Sequence, residues 1–439
     1  VSFHTRLKRR AQRWRSDDAI MFLCGGAVAL CLLALAALFA LLVDQSRLQF
    51  WPEPVYQWET QDGTRITGQI IEESPSSLVI SVGHQASDPN SVRRVTRSEL
   101  VARSRPIDIV RVEHDVLGIL YGVWIESAEP AILSVTPEFK VPMQGDAIVR
   151  WYFPNQLTII QSLQIFADNI ANFLFFASPD SPSDAGVFPA LVGTVVMVLL
   201  MTVFVMPLGV LAAIYLHEYA VQGRLTSWIR VAVHNLAAIP SVVYGVFGLG
   251  VFVYGLGSEI DSAMYSDSLP SPTFGEPGLL WASLTLALLT LPVVIVATEE
   301  GLARVPRSII EASYALGATR AETLFRLILP LIGPAMMTGL ILAIARAAGE
   351  VAPLMLVGVV EFAPDLPITT DYPFLRLDQK FMHLGYHIYD LGFQSIDMEA
   401  TRPRVFATAL LLFVIVMVLN TLAVLLRNRL DRKYRHLLE

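Results

Sequence analysis

The sequence predicts an all-α polytopic membrane protein with six transmembrane helices and a β-rich (α+β) segment inserted between the first two. Three observations carry that prediction. Only 16% of the 439 residues are charged and 54% are hydrophobic, whereas soluble domains average about 25% charged. Six apolar stretches reach the roughly 17–25 residues needed to cross the hydrocarbon. Lys and Arg are shared unequally among the connecting segments, which orients those stretches. A soluble enzyme of this length needs more charge to cover its surface. The net charge of −7 argues against a nucleic-acid partner, and membrane lipid is the expected surrounding.

The elements follow in order. Residues 1–18 are a basic tail carrying Arg6, Lys8, Arg9, Arg10, Arg13 and Arg15, ahead of the first span at 19–43. That span is longer than a signal-peptide core and lacks a small-x-small cleavage site, so it reads as a retained anchor. Cys24 and Cys31 share one face of it, without the clustered partners of a zinc or redox motif. No metal site and no cofactor is expected. Further spans are predicted at 188–216, 229–256, 279–300, 333–359 and 405–426. Basic residues follow the second span (Arg224, Arg230), the fourth (Arg304, Arg307, Arg320, Arg326) and the sixth (Arg427, Arg429, Arg432, Lys433, Arg435). Gly257–Gly278, between spans three and four, has none. Both termini, including the tail 427–439, are therefore expected to be cytoplasmic.

That orientation exports residues 44–187, which hold 10 Lys+Arg against 18 Asp+Glu. Asp62-Gly63 and Pro75-Ser76 are turn signals around strands expected at Thr64–Glu72 and Leu78–Val82. Thr158–Ala177 reads as a helix near the membrane surface. His84 and His114 are isolated, and the carboxylates have no catalytic spacing. No nucleotide-binding G-x-x-x-x-G-K-[ST] occurs in the chain, so any ATP chemistry belongs to another polypeptide.

The loop 301–332, after span four, has a distinctive pattern. Glu311 opens a helical run, Gly317 interrupts it, and a second amphipathic run begins at Ala321. Two short helices joined by glycine form a compact knob. The pattern resembles the EAA loop of ABC-transporter permeases, E-A-A-x3-G-x9-I-x-L-P. The match runs through Glu311, Ala312, Gly317, Leu327, Leu329 and Pro330, with Ser313 for the second Ala and Leu327 for Ile. The resemblance implies that this loop docks on a separate ATPase subunit. Its plainer reading is an ordinary interfacial helix pair.

Span five carries Arg346 and, four residues on, Glu350, hence on one helix face. Arg346 lies 13 residues past Gly333, about 20 Å into the span. A lone Arg at that depth costs on the order of 2.5–3.5 kcal/mol, which Glu350 offsets. Ala343, Ala345, Ala347, Ala348 and Gly349 surround the pair and let polar groups face a bundle interior. Pro353 frees a carbonyl and predicts a kink. The pair is either an anion site, with the guanidinium fork suited to a tetrahedral oxyanion, or a buried staple fixing helix register. In span three, Pro240 predicts a distortion. Asn235, Ser241 and Tyr244 there are either donors to a polar path or helix-packing groups.

Ile-Pro-Ser-Val-Val-Tyr-Gly at 239–245, Ala-Arg-Ala-Ala-Gly-Glu-Val-Ala-Pro-Leu at 345–354, His-Ile-Tyr-Asp at 387–390 and Leu-Arg-Asn-Arg-Leu at 426–430 together resemble phosphate ABC-transporter permeases of the PstA type. The resemblance covers about 188–435 and leaves 44–187 unaccounted for. It implies the type I ABC importer permease fold in a bacterial inner membrane and a transport subunit without its own ATPase site. Expected partners are a PstC-type permease, PstB-type ATPase subunits and an extracytoplasmic phosphate-binding protein. Val296 stands where some relatives carry Arg, so a second basic residue in the path is expected from the partner permease. The main rival keeps the machinery and changes the cargo to sulfate, molybdate or phosphonate. A membrane sensor lacks a signalling module here, since 427–439 is too short, and a secondary transporter or channel does not need the 311–330 knob.

Overall fold

A computed structural model describes residues 2–83, 92–114, 117–125, 132–135, 140–142, 148–175, 186–268, 270–363, 365–370, 372–395 and 398–434. His84 and the five C-terminal residues lie outside them. The chain divides into two units, Val1–Phe166 with Arg402–Leu410, and Ala167–Thr401 with Leu411–Glu439.

In the first unit, α1 runs unbroken over Ser2–Phe50. Ten strands follow. They are β1 (Tyr56–Thr60), β2 (Arg65–Glu73), β3 (Ser77–Ser81), β4 (Val92–Thr96), β5 (Leu100–Ser104), β6 (Ile109–His114), β7 (Gly118–Ile125), β8 (Ile132–Ser134), β9 (Lys140–Pro142) and β10 (Ile148–Tyr152). They form two antiparallel five-stranded sheets, ordered β4-β3-β2-β1-β5 and β10-β6-β7-β8-β9. The Asp62-Gly63 turn closes as the sequence predicts, with Gly63 at φ 76° and its N–H donating to Thr60 O at 2.9 Å. Trp58, Ile66, Leu78, Ile80 and Val95 fill the core of the first sheet, and Val110, Val112, Leu120, Leu133 and Val141 that of the second. Period-2 alternation puts each set on one face. A polar contact joins the sheets, since Tyr121 Oη donates to Gln69 Oε1 at 2.9 Å. Glu72 on β2 accepts from Arg402 Nη1 at 2.6 Å. α2 (Ile159–Phe175) is the helix expected at 158–177.

In the second unit, α3 spans Phe188–Ile214 and continues as a π-helical turn, Tyr215–Tyr219. α4 (Arg224–Leu236), α5 (Ser241–Phe247) with a π-helical continuation over Gly248–Gly257, and α6 (Ser258–Met264) come next. α7 (Leu279–Ala303) is the central helix. It is followed by α8 (Arg307–Ala315), α9 (Arg320–Thr323), a π-helical turn Leu324–Ile328 and α10 (Leu329–Ala347). α11 (Leu354–Val357), α12 (Leu384–Phe393) and α13 (Met398–Tyr434) complete the chain.

Six helical segments among the described residues have the length and apolarity to cross a membrane: Ile20–Phe50, Phe188–Tyr219, Ser241–Met264, Leu279–Ala303, Arg320–Ala347 and Thr401–Arg432. The protein is a multi-pass helical membrane protein. Two boundaries differ from the sequence prediction. The stretch expected at 229–256 is interrupted at Ala237–Pro240, and the uninterrupted helix begins at Ser241. The stretch expected at 333–359 is helical from Arg320 and stops at Ala347. In both, apolar character runs through a backbone break that hydropathy does not sense.

Close packing follows small residues. Gly209 lies against Val294, Gly301 against Ala335 and Ile332, and Gly339 against Ala297 and Val294. These contacts bind α3 parallel and α10 antiparallel to α7, whose Trp281, Leu286, Leu289, Val294 and Ile295 are buried.

Candidate functional site

The register of α10 on α7 fixes the depth of Arg346. α7 has 25 residues, about 37 Å at 1.5 Å each. Gly339 meets Ala297, about 27 Å from the Leu279 end. Arg346 is seven residues further, about 10 Å back towards Leu279, near the middle of α7. It occupies the last turn of α10. Beyond it the backbone closes short turns, with Gly349 N–H donating to Arg346 O and Glu350 N–H to Ala347 O, both at 3.2 Å.

Glu350 thus lies past the helix end, and still reaches back. Its Oε1 is 3.5 Å from Arg346 Nε, with the two side chains 22% and 31% exposed. At that exposure the pair is neither sealed in a core nor fully solvated. A guanidinium with solvent access in mid-span has donors to spare, because one carboxylate cannot satisfy five N–H groups.

The second broken stretch meets the first here. A Cβ on Gly245 would lie 2.7 Å from Pro353 Cα and 2.9 Å from Pro353 O, so α5 and the segment after α10 touch backbone to backbone. Tyr244, one residue before, is 4% exposed. Its hydroxyl donates to Leu236 O at 2.7 Å, a carbonyl at the end of α4 that also accepts from Ile239 N–H at 3.2 Å. Ser241, half-buried, begins α5 behind Pro240. Asn235 is exposed in the last turn of α4, outside the helix that begins at Ser241. Of the five path residues read from the sequence, Arg346 and Glu350 pair, and Tyr244 precedes the glycine that touches Pro353. Ser241 is one turn away, and Asn235 belongs to a different helix.

The sequence reading used Arg230 only for orientation and missed its role as a tie between helices. Arg230 donates to Glu299 Oε1 at 3.3 Å, Gln222 Oε1 at 3.2 Å and Leu216 O at 2.9 Å, tying α4 to α7 and to the π turn that ends α3. Its signal was present as an Arg inside an apolar stretch, but its partner stands 69 residues away.

The coupling-type loop is built by sequence-encoded caps. Gly317, at φ 87°, ends α8 in a Schellman motif, with Ala318 N–H donating to Ser313 O and Gly317 N–H to Tyr314 O. Thr319 and Glu322 then form a capping box that starts α9. Ser313 Oγ lies 2.9 Å from Thr323 Oγ1, pinning the two helices together. Leu316, at the tip, is 89% exposed. Glu311, Ala312 and Gly317 are exposed, and Leu327, Leu329 and Pro330 are half-buried. The second helix of the knob has no separate end, since Arg320–Ala347 is one helical run. Behind α8 is a cavity of about 620 Å³ lined by His217, Glu218, Glu311, Tyr314 and Arg320.

Two interrupted helices thus meet near Arg346, and the α8–α9 loop presents an exposed tip, within a multi-pass helical membrane protein. Residues 205–436 match the family described as binding-protein-dependent transport system inner membrane component, and the chain belongs to that family. It is 32% identical over 256 residues to phosphate transport system permease protein PstA 1 of Mycobacterium tuberculosis (strain H37Rv), a stretch that is 57% of this chain and 72% of that protein. It is 33% identical over 190 residues to the probable PstA of Methanocaldococcus jannaschii, covering 42% and 60%. The figure is 34% over 188 residues for PstA of Yersinia pestis, covering 43% and 57%. The alignments thus take in between about half and three-quarters of these relatives. Among solved structures, the inward-facing MetNI methionine ABC transporter aligns at 20% identity and a TM-score of 0.37, covering 56% of this chain and 94% of that one.

Proposed function

We propose that this chain is the PstA-type membrane subunit of an ATP-binding-cassette importer and that inorganic phosphate crosses beside Arg346. The observation that carries this reading is the Gly245–Pro353 contact. It brings together the two motifs that resemble phosphate permeases, and Arg346, in the second of them, keeps 31% of its side chain exposed. A tetrahedral oxyanion takes paired N–H donors from a planar fork, and Glu350 would neutralise Arg346 when no anion is present and speed release when one is.

In this reading the knob Glu311–Pro330 is cytoplasmic and seats in PstB-type ATPase subunits, both termini are cytoplasmic, and the β-rich segment at 44–187 is extracytoplasmic. A PstC-type permease supplies the other wall of the path, and a phosphate-binding protein delivers the anion. The chain itself breaks no bond. The relatives' PstA identity and the basic residues around the knob support these assignments. The test is uptake of radiolabelled phosphate by proteoliposomes containing the purified complex. Uptake should require ATP and ignore excess sulfate, molybdate and phosphonate. Competition by sulfate changes the cargo, and uptake by this chain alone ends the proposal.

A further inference from the structure

We propose that a recess between α3 and α10 binds one acyl chain of an anionic phospholipid. The recess has a volume of about 590 Å³. Met206, Leu211 and Tyr215 form one wall, and Leu324, Phe325 and Met336 form the other. Gly209 against Val294, and Gly301 against Ile332, put it alongside the last turns of α7, at the end of the spans where the α8–α9 knob lies.

Three observations select the occupant. First, the walls belong to membrane spans, and Leu211, Tyr215 and Phe325 are 61%, 59% and 65% exposed, so the recess opens to the bilayer. Second, the lining contains no Gly, Ala or Ser, whereas the helix contacts of this chain are made at Gly209, Gly245, Gly301 and Gly339. A surface of long flexible side chains without small residues is poor for a packed helix and accommodates a hydrocarbon chain. Third, Arg326 follows Phe325 and is exposed, while the nearby Glu322 is committed to its capping box. An exposed basic residue next to the lining residue Phe325 favours an anionic headgroup.

Both walls also contain a π-helical turn, Tyr215–Tyr219 and Leu324–Ile328. Such turns insert a residue into the helix and recur at functional sites. Here each contributes residues to the lining of the recess, Tyr215 and Tyr219 from one and Leu324 and Phe325 from the other. The second π turn lies between the knob and the span that ends at Arg346, so a chain bound there would bear on the element linking the two.

The experiment uses the intact complex in nanodiscs containing phosphatidylglycerol with a diazirine in its acyl chain, and photolabelled residues are located by mass spectrometry. Leu211, Tyr215 and Phe325 should be labelled above Val203, which is 64% exposed on the same helix as Leu211. Unlabelled phosphatidylglycerol should compete about fivefold better than phosphatidylcholine, the worth of one basic residue at an anionic leaflet. Arg326→Gln should remove that preference and leave the labelling. Leu211→Trp should fill the recess and abolish labelling in a complex that still elutes intact. Equal labelling of Val203 and the recess, or a cross-link from Leu211→Cys to a second permease chain in place of lipid, overturns the proposal.

Discussion

Gly245 and Pro353, 108 positions apart, meet backbone to backbone, and a methyl group at position 245 would stand 2.7 Å from Pro353 Cα. The neighbour is main chain and cannot move aside as a flexible side chain does. Overpacking of this kind costs about 1–3 kcal/mol. Gly245→Ala should therefore lower the thermal unfolding midpoint of the purified complex and reduce uptake. Gly250→Ala, in open space on the same helical run, should do neither. Equal behaviour of the two variants would remove the close approach from the account.

For the Arg346–Glu350 pair, a double-variant cycle separates transport from architecture. Arg346→Gln should cut uptake at least about tenfold, the worth of roughly 1.4 kcal/mol, while assembly and ATP hydrolysis persist. Neutralising Glu350 as well removes any penalty of an unpaired charge. If uptake returns in Arg346→Gln/Glu350→Gln, the pair only fixes helix register.

Gly317 holds a left-handed conformation at φ 87° at the tip of the knob, where a side chain costs roughly 1–2 kcal/mol. Gly317→Val should disturb the α8–α9 junction and weaken retention of the ATPase during purification, with membrane insertion unchanged. Recovery of both subunits in the wild-type ratio would contradict this.

Asp261 is 2% exposed, and its carboxylate accepts the N–H groups of Thr273, Phe274 and Gly275 at 2.9, 2.8 and 2.7 Å. It fixes the loop leading into α7. Asp261→Asn keeps the volume but turns one acceptor into a donor facing N–H groups. We predict a loss of about 1–3 kcal/mol, read as a lower unfolding midpoint and faster proteolysis between Tyr265 and Pro277.

His383 is fully buried before α12 and accepts from Gly385 N–H at 3.1 Å. Burial pushes its pKa down to about 4 from 6.5. In this window the unfolded chain binds the proton more readily, so stability is complete above pH 6.5 and falls as pH drops towards 4. The loss has an upper bound of roughly 3 kcal/mol at 1.36 kcal/mol per pH unit. The midpoint of the wild-type complex should fall between pH 6.5 and 4.5 more steeply than that of His383→Asn; parallel curves would exclude His383 as the cause.

Much of this molecule was legible in its sequence. All six spans show as apolar runs, and Gly317 between two helical runs announces the knob. Asp62-Gly63 and the flanking β-branched residues gave β2 and β3 within a residue or two. The other strands lack so clear a signal, because short strands with interrupted alternation look like loops until a sheet pairs them. The breaks at Ala237–Pro240 and after Ala347 were announced by Pro240 and Pro353, but a proline marks a distortion without saying whether the helix bends or stops. Asn235 was misplaced for that reason. The Arg230–Glu299 and Gly245–Pro353 contacts are products of tertiary packing, which no local pattern encodes.

The unbroken run from Arg320 to Ala347 has a mechanical consequence. Its first turn belongs to the knob and its last carries Arg346, so in the function proposed above the ATPase-facing end and the anion-facing end would be opposite tips of one lever about 42 Å long. No hinge loop intervenes to absorb the stroke. Transport timing in such a design is set by how the lever tilts as a whole, and slack introduced anywhere along it would idle the gate while the motor kept turning.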